Sequence, residues 1–187
     1  AWAPARYRSP NTADLYPYDP ERAAALLESA GWTDSDGDGV RDKNGVPMRV
    51  LFQTSVNQVR QATQRIVKRS LTAIGVDVEL KVVDASVFFS GDPANPNTFA
   101  HFYADMQEFS VGNRLPDPTP YMAHWLKSEI AQAANDWSGS NYARWSHPEY
   151  ERLYARVAAE FDPAVRRDLF IRLNDILVGE VAVIPLV

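Results

Sequence analysis

The sequence predicts an α/β fold: a mixed sheet flanked by helices, with a helical C-terminal third. Three observations carry this. Residues 48–54 and 76–84 alternate apolar and polar side chains, the period of a strand with one buried face. Between them, residues 57–75 have helical spacing, and strand, helix, strand in that order makes a βαβ unit with a parallel or mixed sheet. Beyond Ser146 the apolar residues recur three and four apart, as on one face of a helix.

Residues 1–15 read as an irregular, linker-like N-terminus. The first helix opens at Asp19, whose carboxylate can cap free N–H groups, with Pro20 at the position where its missing N–H is harmless. Ala23, Leu26, Leu27 and Ala30 form its apolar stripe, and Gly31 ends it. In the strand at 48–54, Met48, Val50 and Phe52 point one way. The next helix carries Val59, Ala62, Ile66, Leu71 and Ile74 on one side and stops at Gly75, leaving Arg60, Arg65, Lys68 and Arg69 to solvent. Val76, Val78, Leu80 and Val82 then alternate strictly. The stretch SGDPANPNT (90–98) is loop by composition, and FAHFYADMQEF (99–109) has a weaker strand signal.

Asp117-Pro118 opens a short helix through Tyr121, Met122, Trp125 and Leu126. Ser146 and Glu149 fit a capping box, followed at helical spacing by Tyr150, Leu153, Tyr154, Val157 and Phe161. Asp162-Pro163 starts a last helix, buried along Val165, Leu169, Leu173 and Ile176, and VAVIPLV (181–187) reads as a closing strand. One α/β domain over 1–187 accounts for the whole pattern.

The net charge of -5, with no dense Lys/Arg run, argues against a nucleic-acid partner. With no cysteine, thiolate nucleophiles, disulfides and Cys-ligated metal centres are excluded. No apolar run reaches the roughly 18–20 residues of a membrane span, and AWAPARYRSPNT (1–12) has no continuous hydrophobic segment.

The stretch DSDGDGVRDKNG (34–45) supports two readings. Asp34, Asp36, Asp38 and Gly39 reproduce the first half of a calcium loop, in which alternate oxygens converge on a hard cation; Val40 would add its carbonyl and Asp42 a further ligand. Position twelve of that register is Gly45 instead of a bidentate Glu, and a strand follows. The other reading is a helix-to-strand turn whose Asp side chains cap their own amides. A weak structural calcium site is the most the loop supports, and a calcium-dependent structural or adhesion module built on 34–42 is the alternative function.

Signals of catalysis are missing. No G-x-S-x-G elbow, no glycine-rich dinucleotide fingerprint and no phosphate loop occurs. His101, His124 and His147 lack the spacing of a helical metal pair. Glu108, Asp117 and Glu129 could supply two carboxylates for glycoside chemistry, but such pairs are commonplace. The expectation is a protein that is not an enzyme and requires no cofactor.

Several segments, in a fixed order, carry a resemblance: YPYDPERAAALLESAGW (16–32), the acidic loop before a strand, IGVDVEL (74–80), DPTPYM (117–122), NYARWSHPEYERLYARV (141–157), DPAVRRDLFIRLNDIL (162–177) and VAVIPL (181–186). Together they resemble the family 5 extracellular solute-binding proteins of ABC transporters, receptors for peptides, nickel chelates and some sugars or opines. The resemblance implies a periplasmic-binding-protein-like (type II) lobe. It implies that residues 16–187 are the second, C-terminal lobe of a two-lobed receptor that closes on its solute. The first lobe and an ABC permease would be its partners, and its location periplasmic or membrane-tethered outside the cell.

In that family the ligand-facing segment precedes the D-P helix start, here residues 105–122. Peptide receptors place an aspartate three residues before the acid of that pair, to hold the ligand's α-ammonium; the matching position is Arg114. An aromatic often found three residues earlier is Val111 here. Arg114 would repel an ammonium and suits a carboxylate or phosphate, hence an anionic solute, unless it is an ordinary solvent-exposed arginine. Asn113 and Phe109 are further candidates for the ligand cleft, and Trp137 and Trp145 for its rim or for packing.

Overall fold

Asp19 caps the first helix as expected: its Oδ1 accepts from the Arg22 N–H at 2.9 Å, and helix α1 runs Pro20–Ser29. The computed structural model describes residues 7–112 and 115–186. They fall into two compact units: Tyr18–Ser110, built on a sheet, and the described parts of Ala1–Pro17 and Val111–Val187, built on helices.

In the sheet unit, α1 has no fully buried residue; Leu26 of the expected stripe is exposed, and Leu27 reaches the core. Strands β1 (Asp42–Lys43) and β2 (Val46–Pro47) form a small antiparallel hairpin, turned by Asn44 and Gly45, both with positive φ. An Asn-Gly pair tolerates the left-handed backbone that such two-residue turns require.

Strand β3 (Arg49–Ser55) is the centre of a three-stranded parallel sheet, ordered β4-β3-β5. Helix α2 (Gln58–Thr72), capped by Asn57 through the Val59 and Arg60 amides, leads into β4 (Asp77–Val83), paired with β3 from Arg49↔Asp77 to Ser55↔Val83. After helix α3 (Ala85–Phe88), β5 (Met106–Glu108) joins the other side of β3. Gly75, with φ 85°, makes the turn into β4; its carbonyl accepts from the Arg41 N–H at 2.7 Å, and a Cβ there would lie 2.8 Å from Arg41 Cγ.

The face α2 turns to the sheet is only partly the one its apolar spacing predicts: Leu71 and, just beyond the helix, Ile74 pack on the sheet's core. Val59 and Ile66 are exposed, while Gln64 is buried among its neighbours with Val67 and Leu71 packed on the core of Phe52, Val76 and Val78. The cause is a pair of bonds: Gln64 Nε2 donates to the Phe52 carbonyl at 2.8 Å and the Lys81 carbonyl at 3.3 Å, fixing the helix rotation. Arg60, one turn before Gln64, therefore faces the sheet end and not solvent.

The helical unit consists of α4 (Thr119–Met122), short 3₁₀ turns, α5 (Pro148–Ala159) and α6 (Pro163–Gly179). Asp162 caps α6 through the Ala164 and Val165 amides, as its Asp-Pro start predicts. Tyr150, Val157, Phe170, Leu173 and Leu177 seal the core, and the Tyr150 hydroxyl donates to the Met122 carbonyl at 2.7 Å. Residues 7–16 are irregular yet tied down. Tyr7 packs edge-on against Phe170, Ser9 and Asn11 donate to Asp175, and the Tyr16 hydroxyl donates to the Gly179 carbonyl.

Four expectations fail here, the first at Val165, which is exposed although Leu169, Leu173 and Ile176 of its stripe are buried. The cap of α5 is His147, whose ring accepts from the Tyr150 N–H; with Pro148 as the first helical residue, Ser146 lies one position too early. Phe161 is 92% exposed because the helix has ended at Ala159. Residues 181–186 form no strand: Val181 has the left-handed φ of 54°, which ends α6 in a turn, and Ala182 and Val183 pack on the helical core instead.

Candidate functional site

In open sheets of parallel strands, ligands bind beyond the carboxyl ends of the strands, where the strand order reverses. That reversal falls at β3: the chain moves to β4 on one side, and β5 then pairs on the other. The side chains at this edge are polar although the strand is central. Gln53, Thr54 and Ser55 are all essentially sealed from solvent. Gln53 Nε2 donates to Gln107 Oε1 at 3.0 Å, Gln107 Nε2 to the Phe99 carbonyl at 3.0 Å, and the Thr54 hydroxyl to the Glu108 carbonyl at 2.7 Å.

Beyond this ladder, Arg60 in the first turn of α2 reaches across the strand ends. Its Nη1 donates to Ser55 Oγ at 2.5 Å and Nη2 to Ser110 Oγ at 3.3 Å, while the guanidinium carbon lies 5.7 Å from the Phe89 ring centroid. Glu108 ends β5 in the same place. It is half-buried, and its Oε2 is shielded from solvent with no hydrogen-bond partner. Burial pushes the Glu108 carboxyl above its ordinary range, against the opposing pull of Arg60 and the Thr63 hydroxyl.

The residues the sequence singles out are dispersed. Phe109 belongs to an aromatic cluster, 5.5 Å centroid to centroid from Phe99, itself packed on Phe88 and Phe89. Val111 is an exposed residue of the helical unit. Trp137, also there, has a left-handed backbone and the Arg144 guanidinium 5.4 Å from its ring centroid. Asn113 and Arg114 lie outside the described residues. Trp145 packs, stacked on His147 and edge-on to Tyr150. Asp117 anchors α4: it accepts from the Thr119 amide and hydroxyl, and takes a two-pronged ion pair from Arg166 at 3.0 and 3.1 Å. Glu129 accepts from the Ser140 hydroxyl.

Sequence reasoning passed over Arg60, assigned to the solvated face, and the buried Ser55. The available signal was the polar run Gln53–Thr54–Ser55 at the end of a strand that leads directly into a helix.

The acidic loop gathers Asp34, Asp36 and Asp38 so that one oxygen of each lies within 4.8 Å of the others. Those oxygens serve the loop's own backbone. Asp34 accepts from the Gly37 and Gly39 amides, Asp36 from Asp38, and Asp38 from Val40. Asp42 turns to Ser35, accepting from its amide and hydroxyl at 2.9 and 2.7 Å, which hold its carboxyl below the usual range.

Comparison with known proteins points one way. The family model described as "Bacterial extracellular solute-binding proteins, family 5 Middle" matches residues 2–133. The oligopeptide-binding protein AppA of Bacillus subtilis is 24% identical over 170 residues, covering 84% of this chain and 31% of that protein. The oligopeptide-binding protein OppA of Mycobacterium tuberculosis is 29% identical over 170 residues, covering 90% of this chain and 26% of its own length. Among solved structures, the oligopeptide-binding protein of Thermus thermophilus, complexed with a pentapeptide, superposes with a TM-score of 0.82 at 26% identity. That match covers 96% of this chain and 31% of the other. The chain thus spans about a quarter to a third of the length of the relatives it matches. These likenesses lend no support to a calcium-dependent adhesion module.

Proposed function

We propose a function from one premise: the chain belongs to the bacterial extracellular solute-binding proteins, family 5. Its fold is the α/β fold of periplasmic binding proteins of type II. On that basis the chain is part of the substrate-binding component of an ABC importer. It acts outside the cytoplasmic membrane, where it captures a peptide or related small solute and hands it to the permease unchanged. No described helix is long and apolar enough to cross a membrane.

The observation that carries this reading is the likeness, over nearly the whole chain, to a receptor crystallised with a pentapeptide. Because the match spans under a third of that receptor, the chain is read as one lobe of two. The solute would touch both lobes only in the closed form, so binding shifts the population towards closure. A lobe alone then keeps only part of the contacts.

Isothermal titration with a tripeptide mixture tests this. The receptor-length protein should bind at about 1 µM or tighter, and the 187-residue chain weakly or not at all. Tight binding by the chain alone would contradict the two-lobe mechanism, and no binding by the receptor-length protein would contradict the peptide class.

A further inference from the structure

We infer that the carboxyl end of the sheet holds a subsite for the cationic side chain of the solute, with Glu108 as its acceptor. This rests on the solute-binding reading above and adds the charge of the group recognised. The central observation is the shielded Glu108 Oε2, which has no hydrogen-bond partner although the neighbouring Gln53, Thr54 and Ser55 side chains each have one. A shielded carboxylate oxygen left so is unfavourable, and a completing ligand is one explanation for a fold that retains it.

Arg60 does not complete it. Its two terminal nitrogens are directed at Ser55 and Ser110, and its plane lies against Phe89. The Arg60 charge and the Thr63 hydroxyl act on the carboxyl, but Oε2 itself is left without a hydrogen bond, and a cationic donor makes one roughly twice as strong as a neutral one. The setting also suits the stem of such a side chain. Val56, next after Ser55, is 57% exposed and Phe89 is 43% exposed, and lysine and arginine lay their methylenes along apolar surface of this kind. Glu108 is half-buried as a residue, so its side chain lies at the edge of solvent.

The test is titration of the receptor-length protein with Ala-Lys-Ala, Ala-norleucine-Ala and Ala-Glu-Ala, which share their terminal charges. The lysine peptide should bind about 10-fold tighter than the norleucine peptide or more. In Glu108→Gln that preference should fall below about 2-fold. Equal affinities, a preference for the glutamate peptide, or a lysine preference that survives Glu108→Gln would overturn the inference and leave the solute-binding reading standing. Failure of all three peptides to bind would overturn both. A ligand-free readout is independent: at pH 7 Glu108→Gln should melt at or above the parent temperature, because it removes an unsatisfied buried carboxylate, and a lower melting temperature would overturn the inference.

Discussion

In the helical unit Tyr150, Phe170, Leu173 and Leu177 are sealed into one apolar core, whereas the sheet unit seals Gln53, Thr54, Ser55 and Gln64 along its central strand. The first arrangement stabilises by removing apolar surface from water, about 25 cal/mol per Å², and its buried Tyr150 hydroxyl is satisfied by a carbonyl. Burial there pushes the Tyr121 phenol up to about 12. The second arrangement gains little from burial itself and stands only because each polar group finds a partner. Where one does not, at Glu108 Oε2, burial carries a cost, as it does at Asn141 Oδ1 and Arg166 Nε in the helical unit. The contrast is between a core held by apolar burial and one held by the pairing of buried polar groups.

The largest test of the contrast is Leu173→Ala. Leu173 is fully buried on α6, so its loss should cost about 3–4 kcal/mol in urea denaturation. Amide-exchange protection should fall in α5 and α6 first, with β3 and β4 retaining theirs. Equal loss in the sheet would erase the distinction between the two regions.

A smaller effect separates Glu108 from ordinary surface acids. A folded pKa raised above the unfolded value makes a contribution that is present at low pH and lost as pH rises through the folded pKa. The parent protein and Glu108→Gln should therefore have similar stability near pH 4 and diverge as pH rises towards 7, with the variant the more stable. Asp42, Asp84 and Asp162 behave oppositely. Hydrogen bonds hold their carboxyls low, so their contribution is present above the unfolded value near 3.8 and fades on acidification through the folded one. Thermal melts across pH 3–8 read both signs.

The smallest effect belongs to the acidic loop. Millimolar calcium against chelator should move the melting temperature by no more than about 1 °C, as for a site that is at most weakly occupied. A shift of several degrees would make the loop a structural cation site.

Much of the fold could be read from the residues because local chemistry and tertiary packing agree. Asp19-Pro20, Asn57 and Asp162-Pro163 open their helices, and the alternation around Phe52 and Val78 yields neighbouring strands in the sheet. Reading failed where a long-range bond decided the outcome. The hydrophobic period of α2 favours Val59 and Ile66, but two hydrogen bonds from Gln64 to carbonyls on different strands override it. The closing apolar run 181–186 has strand propensity, but Val181 turns with a left-handed backbone and its neighbours pack on the helical core. The site was the least legible part. Arg60 looks like a solvated cation until β5, roughly fifty residues later, brings Glu108 and Ser110 beside it, and no local pattern encodes that juxtaposition.

Hydrogen exchange on the receptor-length protein, with and without saturating Ala-Lys-Ala, tests the central claim most directly. Capture at the carboxyl end of the sheet predicts new protection at Ser55, Arg60 and the amides of Glu108, Phe109 and Ser110, with α5 and α6 unchanged. Protection confined to the helical unit or to the acidic loop, with the sheet end indifferent to a bound peptide, would contradict it.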